Sequence, residues 1–298
     1  MAHNHSHLQP KNQTERNLFI TVLLNILITI VEVTGGIISG SLSLLSDAVH
    51  NLSDGVSIII TYVAMRLSKR PRTLKYTFGL KRAEILAAII NTSTLISISF
   101  ILIKEAIGRF NHPTEISGAV MLIVALAGLI ANVLGTLLLK NGIENNMNLR
   151  ATYYHLLSDA VSSLGVITGA VCIIYFRIYW IDPVLTIIIS LYILKEAFAI
   201  VKEAMDVVMM TSPSTIDLSE VKSMIESIPK VQNIHHVHVW KLNDTDIHFE
   251  GHIEAGNILV AETTEIQNQI EKMLHDKYEI HHTTLQFECG KCTTKTII

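Results

Sequence analysis

Six apolar stretches fill the first two-thirds of the chain, near residues 18–39, 42–64, 83–103, 117–139, 151–176 and 178–201. Each is long enough for a helix of about 20 residues, the length that crosses the hydrocarbon core of a bilayer. The first runs too long for a signal-peptide core and ends without a small-residue cleavage pattern, so it reads as a retained span. After Asp206 the apolar runs shorten and the pattern changes. Residues 211–214 (TSPS) read as a loop, and Ser214 or Asp217 can cap a helix over 218–228 that stops at Pro229. Residues 231–242 alternate as a strand, Asn243 and Asp244 make a turn, and 245–254 alternate again. On that second strand Ile247, Phe249, Gly251 and Ile253 share one face, and His248, Glu250, His252 and Glu254 the other. A helix over 260–277 and a strand over 283–289 complete the order αββαβ, a small sheet with both helices on one face.

The pattern predicts an α-helical membrane bundle of six transmembrane helices followed by an α+β, ferredoxin-like domain. Residues 1–16 form a polar tail, 17–210 the membrane domain and 211–298 the cytoplasmic domain. Composition agrees: 49% of the 298 residues are hydrophobic and 16% charged, the balance of a chain largely in lipid. Net charge is −3 without a basic stripe, which excludes nucleic acid as a partner. Three cysteines, Cys172, Cys289 and Cys292, make no disulfide framework.

Charge between the spans sets orientation. The second connection carries Arg66, Lys69, Arg70, Arg72, Lys75, Lys81 and Arg82 with no acid before Glu84, so it faces the cytoplasm. The first connection, around Gly40, is uncharged, and the third offsets Lys104 and Arg109 with Glu105 and Glu115. Both termini are therefore expected inside, in the cell (inner) membrane.

Against this apolar background the second span holds His50 and Asp54, and the fifth holds His155 and Asp159. An ionisable group at the bilayer centre costs roughly 2.5–3.5 kcal/mol on insertion scales, so such residues mark function. A spacing of four puts each pair on one helix face. The two spans run in opposite directions, so packing them sets His50 opposite Asp159 and Asp54 opposite His155. Two nitrogens and two carboxylates suit tetrahedral Zn²⁺ better than the all-oxygen shells of Mg²⁺ or Ca²⁺. Buried hydrogen-bonded pairs would account for one such motif more readily than for two identical ones. Asp47 lies on the same face, as an entrance residue nearer the outer end or a solvated residue at the span boundary. Glu32, Asn25, Asn91 and Asn132 read as hydrogen-bond partners between helices.

Together with Phe78-Gly79-Leu80-Lys81-Arg82-Ala83-Glu84 opening the third span and His235-His236-Val237-His238-Val239-Trp240 in the soluble domain, these motifs resemble the cation diffusion facilitators, in their zinc-transporting branch. The resemblance spans about residues 16–290. It implies a homodimer that exports Zn²⁺ in exchange for protons, with His50, Asp54, His155 and Asp159 as the transport site. It favours zinc, with cadmium or cobalt tolerated, because the manganese and iron branches begin the second-span motif with Asp. The histidine-rich loop of many eukaryotic relatives is absent, with only residues 141–148 between spans four and five. By the same resemblance His235, His252 and His281 match cytoplasmic zinc positions that tighten the dimer, and Arg82 and Asp206 match a charged hinge pair. Cys289 and Cys292 form a lone CxxC, with His3, His5 or His7 of the tail as candidate further ligands. An intramembrane metalloprotease is excluded by the lack of an HExxH motif. The competing reading is a membrane-anchored metal sensor without transport.

Overall fold

The computed structural model describes residues 11–68, 70–140, 147–243, 246–290 and 296–297. It contains six long helices: α1 Lys11–Ser39, α2 Leu42–Ser68, α3 Ala83–Asn111, α4 Gly118–Leu139, α5 Met147–Phe176 and α6 Ile181–Val208. Among the described residues four stretches are long and apolar enough to cross a bilayer: Ala83–Asn111, Gly118–Leu139, Tyr153–Phe176 and Ile181–Val208. The apolar part of α1 is shorter, Leu23–Ser39, and α2 carries Asp47, His50 and Asp54 within its length. The six expected spans are thus six helices of unequal apolarity. The chain divides into two compact units, Met1–Thr61 with Ile90–Val201, and Tyr62–Ile89 with Lys202–Ile298.

The first unit buries a stripe and exposes the rest. Leu44, Ile116, Met121, Val124, Ala125, Val166, Ala170 and Ile173 form one apolar cluster, while Ile30, Ile37, Ile123, Ile130, Leu137 and Val161 stand exposed. The four apolar stretches are only 22–39% buried, the surface a lipid-facing bundle requires. Close approach of α1 to α4 depends on Gly128, where an added Cβ would lie 2.5 Å from Glu32 Oε1. Small residues at such contacts are how membrane helices pack without a hydrophobic drive between them.

The N-terminus of α2 is capped from another helix. Asp182, in the first turn of α6 and fully buried, accepts hydrogen bonds from Ser41 Oγ (2.6 Å), Ser43 Oγ (2.6 Å), Leu42 N (2.9 Å) and Ser43 N (3.1 Å). These include two of the amides that a helix start leaves without internal partners. Arg109 Nη1 stands 3.9 Å from the same carboxylate and donates to Gly40 O. Pro183 follows in the first turn of α6, where its missing N–H costs nothing.

In the second unit Ser68 Oγ donates to Glu84 Oε1 at 2.9 Å, tying the end of α2 to the start of α3. Ile85 and Ile89 pack there on Ala204, Val207 and Val208. The C-terminal module has α7 Leu218–Glu226, β1 Val231–Lys241, β2 Ile247–Ala255, α8 Val260–Tyr278 and β3 His282–Glu288. Asp217 caps α7, accepting from Ser219 N at 2.8 Å. The sheet order is β1-β2-β3, with β1–β2 antiparallel and β2–β3 parallel. Val221 and Ile225 of α7 and Ile266, Ile270 and Leu274 of α8 bury against Ile234, Val237, Phe249 and Ile253, so both helices cover one face. The alternation of β1 is interrupted, because the ladder slips between His235 and His238 and His236 takes a positive φ of 52°. This bulge lets Ile234 and Val237, three residues apart, both reach the core.

Candidate metal centres

The spacing of four within α2 and within α5 brings His50, Asp54, His155 and Asp159 to one place. His155 Nε2 lies 3.0 Å from Asp54 Oδ2 and 3.4 Å from Asp159 Oδ2. His50 Nε2 lies 3.7 Å from both Asp54 Oδ2 and Asp159 Oδ1. Ligands about 2.0–2.1 Å from a tetrahedral Zn²⁺ sit about 3.3 Å from one another, a value these four edges bracket. Asp54 Oδ2 and Asp159 Oδ2 are buried without a hydrogen bond, which leaves lone pairs for a cation. Asp159 is the buried member, and the His155 and Asp54 side chains are 37% and 30% exposed, so the group opens to one side.

Around this group lie polar contacts of a different kind. Asp47 is not solvated: it is buried and accepts from Ser162 Oγ of α5 at 2.7 Å. Glu32 of α1 accepts from Asn51 Nδ2 at 2.8 Å, a bond between helices as its position in span one suggested. Asn91 Nδ2 donates to Ser53 Oγ at 3.2 Å, joining α3 to α2.

A second group forms on the sheet from His235 of β1, His252 of β2 and Glu288 of β3, whose ligand atoms lie within 4.8 Å of one another. His252 Nδ1 is 3.1 Å from Glu288 Oε1, and His235 Nε2 is 3.5 Å from Glu288 Oε2. Asn233 Nδ2 donates to Glu226, so its Oδ1 faces His235 Nδ1 at 3.1 Å and takes that ring's N–H. The other ring nitrogen, Nε2, is left as a metal-facing lone pair.

Glu288 was missed in the sequence because its position depends on register. The parallel ladder pairs Glu254 with Glu288 and His248 with His282. In that same register His281 stands apart from His235 and His252. His281 precedes the end of β3 that pairs with His248, four residues or roughly 13 Å along β2 from His252. Its ring is tilted against that of His275, with centroids 4.7 Å apart, beside a cavity of about 550 Å³. Among the described residues no ion pair joins Arg82 to Asp206 within this chain. Arg82 Nε is buried without a hydrogen bond, and Asp206 is exposed. The neighbouring Lys81 makes the contact to the sheet, 2.7 Å from Asp246. Cys289 is exposed and free, while Cys292 and the tail residues His3, His5 and His7 lie outside the described residues.

Near Lys81 stands a further histidine, His248, stacked on Trp240 with ring centroids 5.5 Å apart and tilted against His282 at 4.4 Å. Burial, then the neighbouring His282, push its pKa below the usual imidazole value. Hydrogen bonding to Lys81 holds Asp246 below the usual carboxylate range.

A bundle of apolar helices with facing His/Asp pairs, followed by a small sheet domain with its own His/Glu group, suits a metal-ion transporter. Residues 18–209 match the cation efflux transmembrane domain, and 213–289 the cytoplasmic domain of cation efflux proteins. The chain belongs to the cation efflux, or cation diffusion facilitator, family of metal-ion transporters, and is a multi-pass membrane protein. It is 37% identical to the zinc transporter ZitB of Shigella flexneri over 98% of this chain and 94% of that one. It is 36% identical to the cadmium, cobalt and zinc/H(+)-K(+) antiporter of Bacillus velezensis, over 97% and 92% respectively. The solved metal-bound C-terminal domain of the CzcD transporter from Cuprividus metallidurans aligns at 33% identity with 24% of this chain and 99% of its own, at a TM-score of 0.23.

Proposed function

We propose that this chain exports Zn²⁺, with Cd²⁺ and Co²⁺ as accepted alternatives, from the cytoplasm in exchange for protons. His50, Asp54, His155 and Asp159 are the transport ligands. The observation that carries the reading is the convergence of two imidazoles and two carboxylates from α2 and α5, at separations of 3.0–3.7 Å, inside a membrane bundle. The relatives support it, being zinc, cadmium and cobalt transporters by name. Proton exchange follows from ligand chemistry, since a histidine must be neutral and a carboxylate ionised to bind the ion. Zinc binding displaces protons, and protonation on the far side releases zinc.

In this reading residues 17–210 are a six-span transport domain working by alternating access. Residues 211–298 are a cytoplasmic metal-sensing and dimerisation domain of a homodimer, and 1–16 a cytoplasmic tail. His235, His252 and Glu288 are the residues there that hold a regulatory Zn²⁺, which cross-links three strands and so stiffens the sheet. Arg82 and Asp206 are the charged hinge residues where the membrane and cytoplasmic parts meet.

Zinc binding to purified protein tests the transport site. Asp54→Ala and His155→Ala should each weaken one site by at least about 100-fold, as loss of one of four zinc ligands requires. The cytoplasmic site should be retained. Unchanged affinity and stoichiometry in folded Asp54→Ala protein would remove the assignment. A membrane-anchored sensor would bind zinc in the same assay but carry none across a vesicle membrane.

A further inference from the structure

We propose that Glu32 of α1 is a proton-carrying residue of the transport cycle, the acceptor and donor of a counter-proton one step removed from the zinc ligands. This rests on the zinc–proton exchange proposed above.

Glu32 is 1% exposed in the middle of the bundle. Its Oε2 accepts from Asn51 Nδ2 at 2.8 Å, and its Oε1 is buried without a hydrogen bond. Among the described residues no Lys, Arg or His pairs with it. The charged groups within its electrostatic reach are carboxylates, Asp47 of α2 and Asp159 of α5, and α4, packed on its other side, carries no ionisable side chain from Gly118 to Leu139. A buried carboxylate with one donor, two like-charged neighbours and no counter-ion is not sustained as an anion. A proton on Oε1 removes the charge and supplies a donor. An acceptor for it is at hand, because Asn51 Oδ1, on the amide already bonded to Glu32, is itself buried without a donor.

The position links this proton to the ion. Asn51 directly follows the ligand His50, and Asp47 lies one turn away on the same face of α2. All the groups gathered here, Glu32, Asp47, Asn51 and Ser162, offer oxygen or amide atoms, and no imidazole. That favours a proton over a second Zn²⁺. When Zn²⁺ occupies the four-ligand group its charge favours ionised Glu32, which gives up H⁺. When Zn²⁺ leaves, repulsion from Asp47 and Asp159 favours return of H⁺ to the carboxylate. One proton leaves as the cation arrives, and one returns as it departs.

The test counts protons released per Zn²⁺ bound, by calorimetry of the full-length protein in buffers of different ionisation enthalpy. Wild type should release about one proton more than Glu32→Gln, a neutral isostere, and Glu32→Asp should recover the wild-type count. Equal counts in wild type and folded Glu32→Gln overturn the proposal. Absence of any proton release from wild type would instead overturn the exchange reading itself. Infrared difference spectra of wild type labelled with ¹³C-glutamate decide the matter without a variant. A protonated-glutamate carbonyl band lost on zinc addition supports the proposal, and an unchanged glutamate spectrum overturns it.

Discussion

Asp182 gives the sharpest stability prediction, because it holds the start of the helix that carries His50 and Asp54. It is fully buried and accepts four hydrogen bonds, two from backbone amides and two from serine hydroxyls, with Arg109 close by. Asp182→Ala strands these donors and leaves Arg109 without its buried counter-charge. Each buried donor left unmade costs about 1–3 kcal/mol, and breaking a buried ion pair about 3–5 kcal/mol. The terms share one carboxylate and do not add, so the loss expected is about 3–5 kcal/mol. At roughly 2–4 °C per kcal/mol for a domain of this size, thermal unfolding in detergent should fall by roughly 6–20 °C. Asp182→Asn keeps one acceptor and should lose less. His50 lies eight residues beyond Leu42, about 12 Å along α2 from the end that Asp182 caps, so zinc affinity of the folded fraction should be nearly wild type. A folded Asp182→Asn protein with an unchanged melting temperature and a large loss of zinc affinity would refute this reasoning, and would place Asp182 on the ion's path.

Two further predictions concern packing and pH. Gly128→Ala puts a methyl 2.5 Å from Glu32 Oε1, so either the buried Glu32 carboxylate shifts or α1 and α4 part, at a cost of about 1–3 kcal/mol, read as a lower melting temperature; an unshifted melting curve would show that Glu32 moves aside freely. His248 has a depressed folded pKa, so as pH falls below about 6.5 the unfolded state takes up the proton first and stability is lost. Unfolding of the full-length protein between pH 7.5 and 5.5 should therefore be pH-dependent, with a smaller dependence in His248→Phe. Asp246 also has a lowered pKa, but its stabilisation is lost only below about pH 4, outside that window.

The sequence revealed the helices through their apolar lengths, and the facing of the His/Asp pairs through a spacing of four on two antiparallel helices. It did not reveal how far those helices run. The helix α1 begins at Lys11 and α3 extends to Asn111, because helical hydrogen bonding continues past the lipid boundary that hydropathy marks. The buried roles of Asp47 and Asp182 were hidden for a related reason. Both lie near helix ends, where an acid usually meets water, and only serines distant in sequence show that they are enclosed. On the sheet, the residues of β1 and β2 were legible, but the bulge at His236 and the parallel register of β3 were not. That register sets Glu288 beside His235 and His252 and His281 at the far end of β3, since alternation fixes the faces of a strand and not its slide along a neighbour.

The central claim is exchange of Zn²⁺ for protons through the α2–α5 ligands. Its most direct test is zinc flux into proteoliposomes with an imposed pH gradient, using wild type beside folded Asp159→Ala. The account predicts zinc uptake that rises with a gradient acidic inside, is abolished when the gradient is dissipated with equal zinc on both sides, and is lost in Asp159→Ala. Zinc accumulation that ignores the gradient, or that persists in Asp159→Ala, would contradict it.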